Sequence, residues 1–389
     1  DQPWEAPVGV ALVRSVGGAL QRHVLMLAGN PMTLPAVDVV TVNYNHSRYL
    51  PGYLNSLRSS AYPITSIIVV DNASTDDSLA ILRSFPEVTV VSNRCNIGYS
   101  AALNQAMQHA QSPLVCATGP DVVVEADWLC PLVEQYLCDP KTTFAIASRV
   151  LTMDGSHVQS AGGSLHFCGH LNVYEMWMPV QETGSMAPRE VGAIDSTSVL
   201  FDRNKFLTIG GCDPDFFVYH EEFDYCYRAR MRGWTCWYHP CSVVRHGEGS
   251  TEFSVRGSGA YPRKRPFFHT RNRLLSVCKN YQLRTILAIL PALILVEALT
   301  LLTLRRMGLH GAYSDALRWL WEHRKEAILK RTIIQQTRQV HDGQLLCADP
   351  LTISPAVIRS PAMRLAKTLL DYALALYWRG VRGVLYPSD

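Results

Sequence analysis

No two of the eleven cysteines stand at CxxC spacing, charge is sparse, and no long apolar run is free of interruption. An odd number of cysteines scattered over 389 residues excludes the disulfide framework of a small secreted domain and predicts reduced thiols. Cys226, Cys236, Cys241 and His246 fall at spacings that match no common zinc site, and the cysteines read better as small buried hydrophobes. Internal repeats and low-complexity stretches are absent too. Charged residues make up only 18% against 48% hydrophobic, which excludes disorder and predicts a large buried surface in one large or two ordinary domains. Residues 8–28 are apolar, but Arg14, Arg22 and His23 interrupt them, so neither an intact signal peptide nor an anchor is expected there. Residues 1–35 are left unassigned.

The net charge of +3 conceals two opposite halves. Residues 1–255 hold 15 Lys and Arg against 25 Asp and Glu, a net −10, whereas residues 256–389 hold 21 against 8, a net +13. An acidic body suits a metal and a sugar, and a basic tail suits phosphates in lipid headgroups or nucleic acid.

From Val37 onward, short β-branched runs alternate with helical stretches. Strands are predicted at Val37–Val42, Ile64–Val70, Val88–Ser92 and Leu114–Thr118, and helices near Tyr49–Ser60, Thr75–Phe85 and Ser100–His109. Ser74 or Thr75 is available as a helix N-cap. This alternation predicts a parallel sheet of the α/β class. Polar residues collect where each strand ends: Asn43 and Asn45, Asp71 and Asn72, Asn93 and Asn96, then Asp121. A single such residue is an ordinary turn former or cap, but four successive strand ends predict a nucleotide-binding crevice beyond the carboxyl edge.

Three stretches then carry a family resemblance: Val42-Asn43-Tyr44-Asn45, Val69-Val70-Asp71-Asn72-Ala73-Ser74-Thr75-Asp76, and Asn96-Ile97-Gly98-Tyr99-Ser100-Ala101-Ala102-Leu103-Asn104. Further on come Gly210-Gly211-Cys212-Asp213-Pro214-Asp215-Phe216-Phe217, Glu221-Glu222-Phe223-Asp224-Tyr225-Cys226-Tyr227-Arg228, and Pro240 to His246-Gly247-Glu248-Gly249-Ser250. In order and spacing these resemble the motifs of family 2 glycosyltransferases, above all the rhamnosyltransferase-like branch, over about residues 36–340. The resemblance implies a GT-A, Rossmann-like domain at 36–255 and an inverting, metal-dependent sugar transfer, followed by a basic, amphipathic helical region at 256–389. It implies that Asn43, Asn45, Asp71, Asn96, Gly98, Asn104 and Asp121 meet the donor. Asp71 would accept from a nucleobase or ribose, and Gly98 would let a helix N-terminus approach phosphate. Asp121, with His246, would hold a divalent cation, Mn²⁺ or Mg²⁺, through the donor diphosphate.

Glu222 stands where the family carries its catalytic base, with Glu221, Asp224 and Arg228 in support. If the segment starts a helix, Asp224 and Arg228 are four apart and pair on one face, and acidic residues there also suit the helix dipole. Three positions differ from the family pattern: Glu222 where Asp is usual, Gly119 where Asn is typical, and Asp195-Ser196 in place of a small Ser-Gly pair.

Between Arg284 and Arg305, Thr285–Leu304 is barely long enough to span a bilayer and is broken by Pro291 and Glu297. Glu297, Thr300 and Thr303 share one flank, which favours a helix lying in the interface. Arg364, Lys367, Asp371, Ala375, Arg379 and Arg382 recur at helical spacing opposite Leu365, Leu369, Tyr372, Leu376 and Tyr377, a basic amphipathic pattern suited to anionic headgroups. The alternative is a helix packed on the body or on a second subunit, which would make a homo-oligomer. The apolar stripes fit lipid better than base readout, so no nucleic-acid partner is expected. The reading is therefore a peripheral enzyme on the cytoplasmic face of the membrane. It takes a dTDP-, UDP- or GDP-linked sugar, rhamnose among the candidates, to a polyprenyl-diphosphate glycan. A non-catalytic scaffold that kept the fold, and a nucleotide-sugar hydrolase, are the rivals.

Overall fold

Val37–Asn43 (β1) is buried at every position, as a strand covered on both faces must be. It pairs in parallel with Ser66–Asp71 (β2) and Leu114–Thr118 (β4), and β2 pairs in parallel with Val88–Ser92 (β3). Helices Leu50–Arg58 (α1), Ser78–Arg83 (α2) and Tyr99–His109 (α3) make the crossovers. The strand order β3-β2-β1-β4 reverses direction between β1 and β4, and that switch opens a crevice at their carboxyl ends. The structure, a computed structural model, describes residues 11–13, 24–27, 30–247, 249, 262–353, 358 and 360–385. Glu248 and Ser250, which close the last family motif, lie outside the described residues.

Strands between residues 122 and 246 extend the same sheet. Its strands are Val122–Val124 (β5), Thr143–Thr152 (β6), Val158–Ser160 (β7), Arg189–Val191 (β8), Ser198–Asp202 (β9) and Thr235–His246 (β10). The order runs β8-β10-β6-β9-β4-β1-β2-β3, with β7 on β6 and β5 on β10. Antiparallel β9 joins the parallel half to the mixed half. Ala11–Val13, Val24–Leu27 and Asn30–Thr33 form a separate antiparallel sheet in the segment left unassigned.

Beyond the sheet come Glu221–Arg230 (α4), Arg265–Asn280 (α5), Leu283–Arg306 (α6), His310–Glu322 (α7), Arg324–Gln336 (α8) and Pro361–Arg382 (α9). Among the described residues α6 alone is long and apolar enough to cross a membrane by length and composition. One side of it is buried at Thr285, Ile289, Ala292, Leu293 and Val296, and the other exposes Leu283, Leu287 and Ile294.

Three expectations are corrected. α2 starts at Ser78 with Asp77 as N-cap, and Ser74 and Thr75 bond the loop after β1 instead. Glu297 does not lie along a headgroup-facing flank: it pairs with Arg273 and accepts from the Tyr313 hydroxyl at 3.0 Å, which ties α6 to α5 and α7. Nor is the basic tail simply a membrane-facing charge. Lys279 reaches Asp213 at 2.6 Å and Asp224 at 2.9 Å, and Lys330 reaches Asp213 and Asp215, so part of the excess neutralises acids of the body. Burial opposes ionisation of Asp224, yet Arg228 and Lys279 more than offset it and its pKa falls below the usual value.

Candidate active site

A cleft of about 880 Å³ runs along the carboxyl ends of β1 and β4 and on beneath α5. Asp121 lies just past β4. The register of β10 against β5 sets His246 opposite Val122, so the imidazole Nε2 comes 3.3 Å from the Asp121 carboxylate. Gly247 N–H also donates to the Asp121 carbonyl at 2.8 Å. Gln159, on β7, was missed in the sequence. Its amide N–H donates to the His246 carbonyl at 3.2 Å, which turns its Oε1 toward Nδ1 at 3.0 Å. Nδ1 must then carry the hydrogen, and Nε2 presents a lone pair toward Asp121, the tautomer a metal ligand needs. Gly119 explains itself here, since a Cβ at this position would lie 3.0 Å from Asp121 Oδ1.

Asn72, Asn96 and Gly98 also reach the cleft wall. Asn96 Oδ1 accepts from Asn72 Nδ2 and from Gly98 N–H, at 2.8 and 2.9 Å. Gly98 is required for a reason other than closeness to phosphate. Its φ is +84°, and a Cβ would lie 2.6–2.8 Å from Phe217, so the glycine lets α3 press against that loop.

Asp71 and Asn43 differ from expectation: both are fully buried away from the cleft. Asp71 accepts from Asn43 Nδ2 at 2.8 Å and from Ser74 N–H at 3.1 Å, so in this structure it shapes the loop after β2. Asn45 accepts from Thr75 N–H at 2.7 Å. Asn104 grips Cys212 by both its amide groups, at 2.7 and 2.8 Å, and so holds the Gly210-Gly211 turn.

In the same cleft, Glu222 opens α4 beside Asp195. Its Oε2 is buried with no hydrogen-bond partner among the described residues. Burial pushes the Glu222 pKa up to about 7; Asp195 adds to the rise and Arg265 opposes it. Glu221 is more deeply buried, and burial together with the charge of Glu222 holds its pKa well above the carboxylate range. Glu221 is therefore the harder of the two to ionise, and Glu222 the better placed to accept a proton. Arg228 pairs with Asp224 at 2.6 Å and donates to the carbonyls of Ile209 and Gly211, anchoring α4 from below.

The loop that aims Glu222 is strained. Phe217, Tyr219 and His220 all have φ between +62° and +72°, which side chains other than glycine seldom adopt. Asn272, fully buried on α5, holds it: its amide donates to the carbonyls of Phe216, Val218 and Tyr219 at 3.0, 2.9 and 2.7 Å. Arg271 adds a bond to Phe216 O at 2.8 Å. Asn272→Ala is expected to leave the Val218 and Tyr219 carbonyls short of a donor and lower stability by on the order of 3 kcal/mol. Asn272→Asp, which turns the amide donors into acceptors facing those carbonyls, should cost more. Denaturant titration of both variants checks the order; a neutral Asn272→Asp would remove the clamp.

Residues 38–187 match the family described as glycosyl transferase family 2. Over 232 residues the chain is 26% identical to the N-acetylglucosaminyl-diphospho-decaprenol L-rhamnosyltransferase of Mycobacterium tuberculosis, covering 54% of this chain and 75% of that one. It is 24% identical to the low-salt glycan biosynthesis hexosyltransferase Agl10 of Haloferax volcanii over 206 residues, 51% of this chain and 62% of that protein. Its fold is similar to GalNAc-T7 solved with UDP, GalNAc and Mn²⁺, with a TM-score of 0.50 and 19% identity. That likeness covers 63% of this chain and about half, 48%, of the other.

Proposed function

From the premise that this chain is a family 2 glycosyltransferase with a GT-A fold, we propose that it inverts the anomeric centre of a nucleotide sugar as it glycosylates a lipid-linked acceptor. The observation that carries the reading is one cleft lined by Asp121 and His246, which face each other, and by Glu222, a carboxyl with pKa near 7. Asn72, Asn96 and the strand ends around them would receive the nucleotide.

Asp121 and His246 suit a divalent cation. Among the described residues no group of three His, Cys, Asp or Glu is gathered for a metal, so these two would be joined by diphosphate and water oxygens. One carboxylate and one neutral imidazole tilt the choice toward Mn²⁺ without excluding Mg²⁺. When bound, the cation would offset charge gathering on the departing diphosphate.

The chain's own part of the chemistry is proton removal. Glu222 takes the acceptor hydroxyl's proton while that oxygen bonds the anomeric carbon and the sugar–phosphate bond breaks. The electron pair leaves with the nucleoside diphosphate, and Glu222 keeps the proton until solvent removes it. Attack from the face opposite the leaving group inverts the centre.

The M. tuberculosis relative is named for L-rhamnose transfer to N-acetylglucosaminyl-diphospho-decaprenol. A rhamnosyl donor and a polyprenyl-diphosphate glycan are accordingly the first pair to try, on the cytoplasmic face of the membrane. The exposed apolar residues of α9, including Leu365, Leu369 and Tyr372, support contact with that surface. The test is transfer itself: dTDP-, UDP- and GDP-sugars are offered with Mn²⁺ and a polyprenyl-diphosphate-linked sugar, and the product is read by NMR. Inverted product is expected. Retained configuration, or no product from any donor that binds, would refute the reading.

A further inference from the structure

The cleft does not end at Glu222. It continues past the wall of α5 into an apolar arm lined by Leu299 and Leu302 of α6, Met307 just after it, Met363 and Leu370 of α9, and Ile353. The two helices meet where the Tyr377 hydroxyl donates to Ala288 O at 2.6 Å, and farther along both line the arm. Their other faces expose Leu283, Leu287 and Ile294 on α6, and Leu369, Tyr372 and Leu376 on α9. Arg306 and Lys367 also border the arm.

Between Glu222 and this arm the cleft wall carries His170, His220, His269, Arg265 and Arg273. The Nε2 atoms of all three histidines are buried and have no hydrogen-bond partner among the described residues. His220 is more than nine-tenths buried and stacks on Phe223, and His269 stacks on Tyr219, so the rings are held in place. Three buried polar nitrogens left without partners in one chamber are costly unless something arrives to satisfy them. That something is not a metal, since these histidines form no metal-ligating group and share the wall with two guanidinium cations. Burial and Arg273 lower the His220 pKa to about 3, and burial and Arg265 hold His269 well below its ordinary value. The positive charge of this wall therefore rests with Arg265 and with Arg273, which also pairs with Glu297.

We propose that His170, His269, Arg265 and Arg273 bind the diphosphate of the acceptor, whose hydrocarbon chain leaves through the arm between α6 and α9. This rests on the reading of the acceptor as lipid-linked and locates that lipid on this chain. An organic diphosphate could also come from the donor. Only the acceptor's diphosphate, however, is attached to a chain that an apolar arm would take. Guanidinium groups are suited to phosphate oxygens, and the rings of His170 and His269 can each add one directed hydrogen bond. The acceptor's first sugar, attached to that diphosphate, then lies beside Glu222.

Farnesyl diphosphate serves as a soluble probe on the full chain, with binding read by calorimetry. It is expected to bind, inorganic pyrophosphate to bind more weakly, and UDP or dTDP to leave the bound farnesyl diphosphate in place. Arg265→Gln with His269→Phe should weaken both farnesyl diphosphate and pyrophosphate at least tenfold. Leu302→Asp, at a position 46% exposed and so tolerant of change, should weaken farnesyl diphosphate at least tenfold while leaving pyrophosphate unchanged. Equal farnesyl diphosphate affinity in wild type and both variants, or its displacement by a nucleoside diphosphate, overturns the subsite and leaves the lipid-linked reading standing. No binding of farnesyl diphosphate by wild type, together with sugar transfer to a lipid-free acceptor at full rate, overturns that reading and the subsite with it.

Discussion

Glu222→Gln should slow sugar transfer by roughly 10²–10⁴-fold, the range that loss of a general base produces. The amide keeps the size of the side chain and its packing beside Asp195, but it cannot take the acceptor's proton. Donor affinity should stay nearly unchanged, because the donor is assigned to Asn72, Asn96 and Asp121 and not to Glu222. The pH profile provides an independent readout. With a pKa of about 7, Glu222 is protonated and idle below that pH and ionised above it, so kcat/KM should rise as pH climbs through about 7. That limb should vanish in Glu222→Gln. Glu221→Gln should matter far less, since burial and the charge of Glu222 make Glu221 the harder of the pair to ionise. Glu222→Asp should retain measurable activity, lowered because the site is built for the longer arm. Wild-type turnover by Glu222→Gln with the correct donor and acceptor would end the assignment.

Asp121→Ala should cost roughly 10²–10³-fold in kcat, the scale of losing one group that stabilises charge in the transition state. It should also remove the dependence of nucleotide-sugar binding on Mn²⁺, read as a thermal shift with and without the ion. Gln159→Ala makes the comparison sharper. Gln159 touches the imidazole and not the proposed metal position, and orienting partners of this kind are worth roughly 10–100-fold in metal affinity. Its effect should therefore be seen as a shifted Mn²⁺ titration with near-normal activity at saturating ion. Unaltered Mn²⁺ dependence in Asp121→Ala would show that the ligand lies elsewhere.

The parallel half of the sheet was legible because its signals are local. β-branched runs end in Asn and Asp, and Asn72, Asn96 and Asp121 do reach the crevice at the switch point. Asp71 and Asn43 carry the same signal but face each other, because a strand-end polar residue can close a loop as readily as meet a ligand. Gln159 and Asn272 were illegible for another reason. Their value lies in bonding His246 and three backbone carbonyls far away in the chain, and nothing in spacing or periodicity records that. The charge pattern misled in part: Arg271, Arg273 and Lys279 add to the basic tail, yet all three are buried against the body.

The bonds from Asn272 to the loop before Glu222 have a practical consequence for anyone wishing to crystallise or engineer a trimmed enzyme. A cut placed ahead of Arg265, where the charge changes sign, looks like the natural way to obtain a water-friendly core. It would discard α5, and with it the donors that hold Phe217, Tyr219 and His220 in their unfavourable backbone angles. Relaxed, that loop would swing the carboxylate of Glu222 away from its station. Solubility is better sought on the outside of α6 and α9, by exchanging exposed leucines such as Leu283, Leu287 and Leu369 for polar residues, since these side chains face outward and hold nothing at the reaction centre.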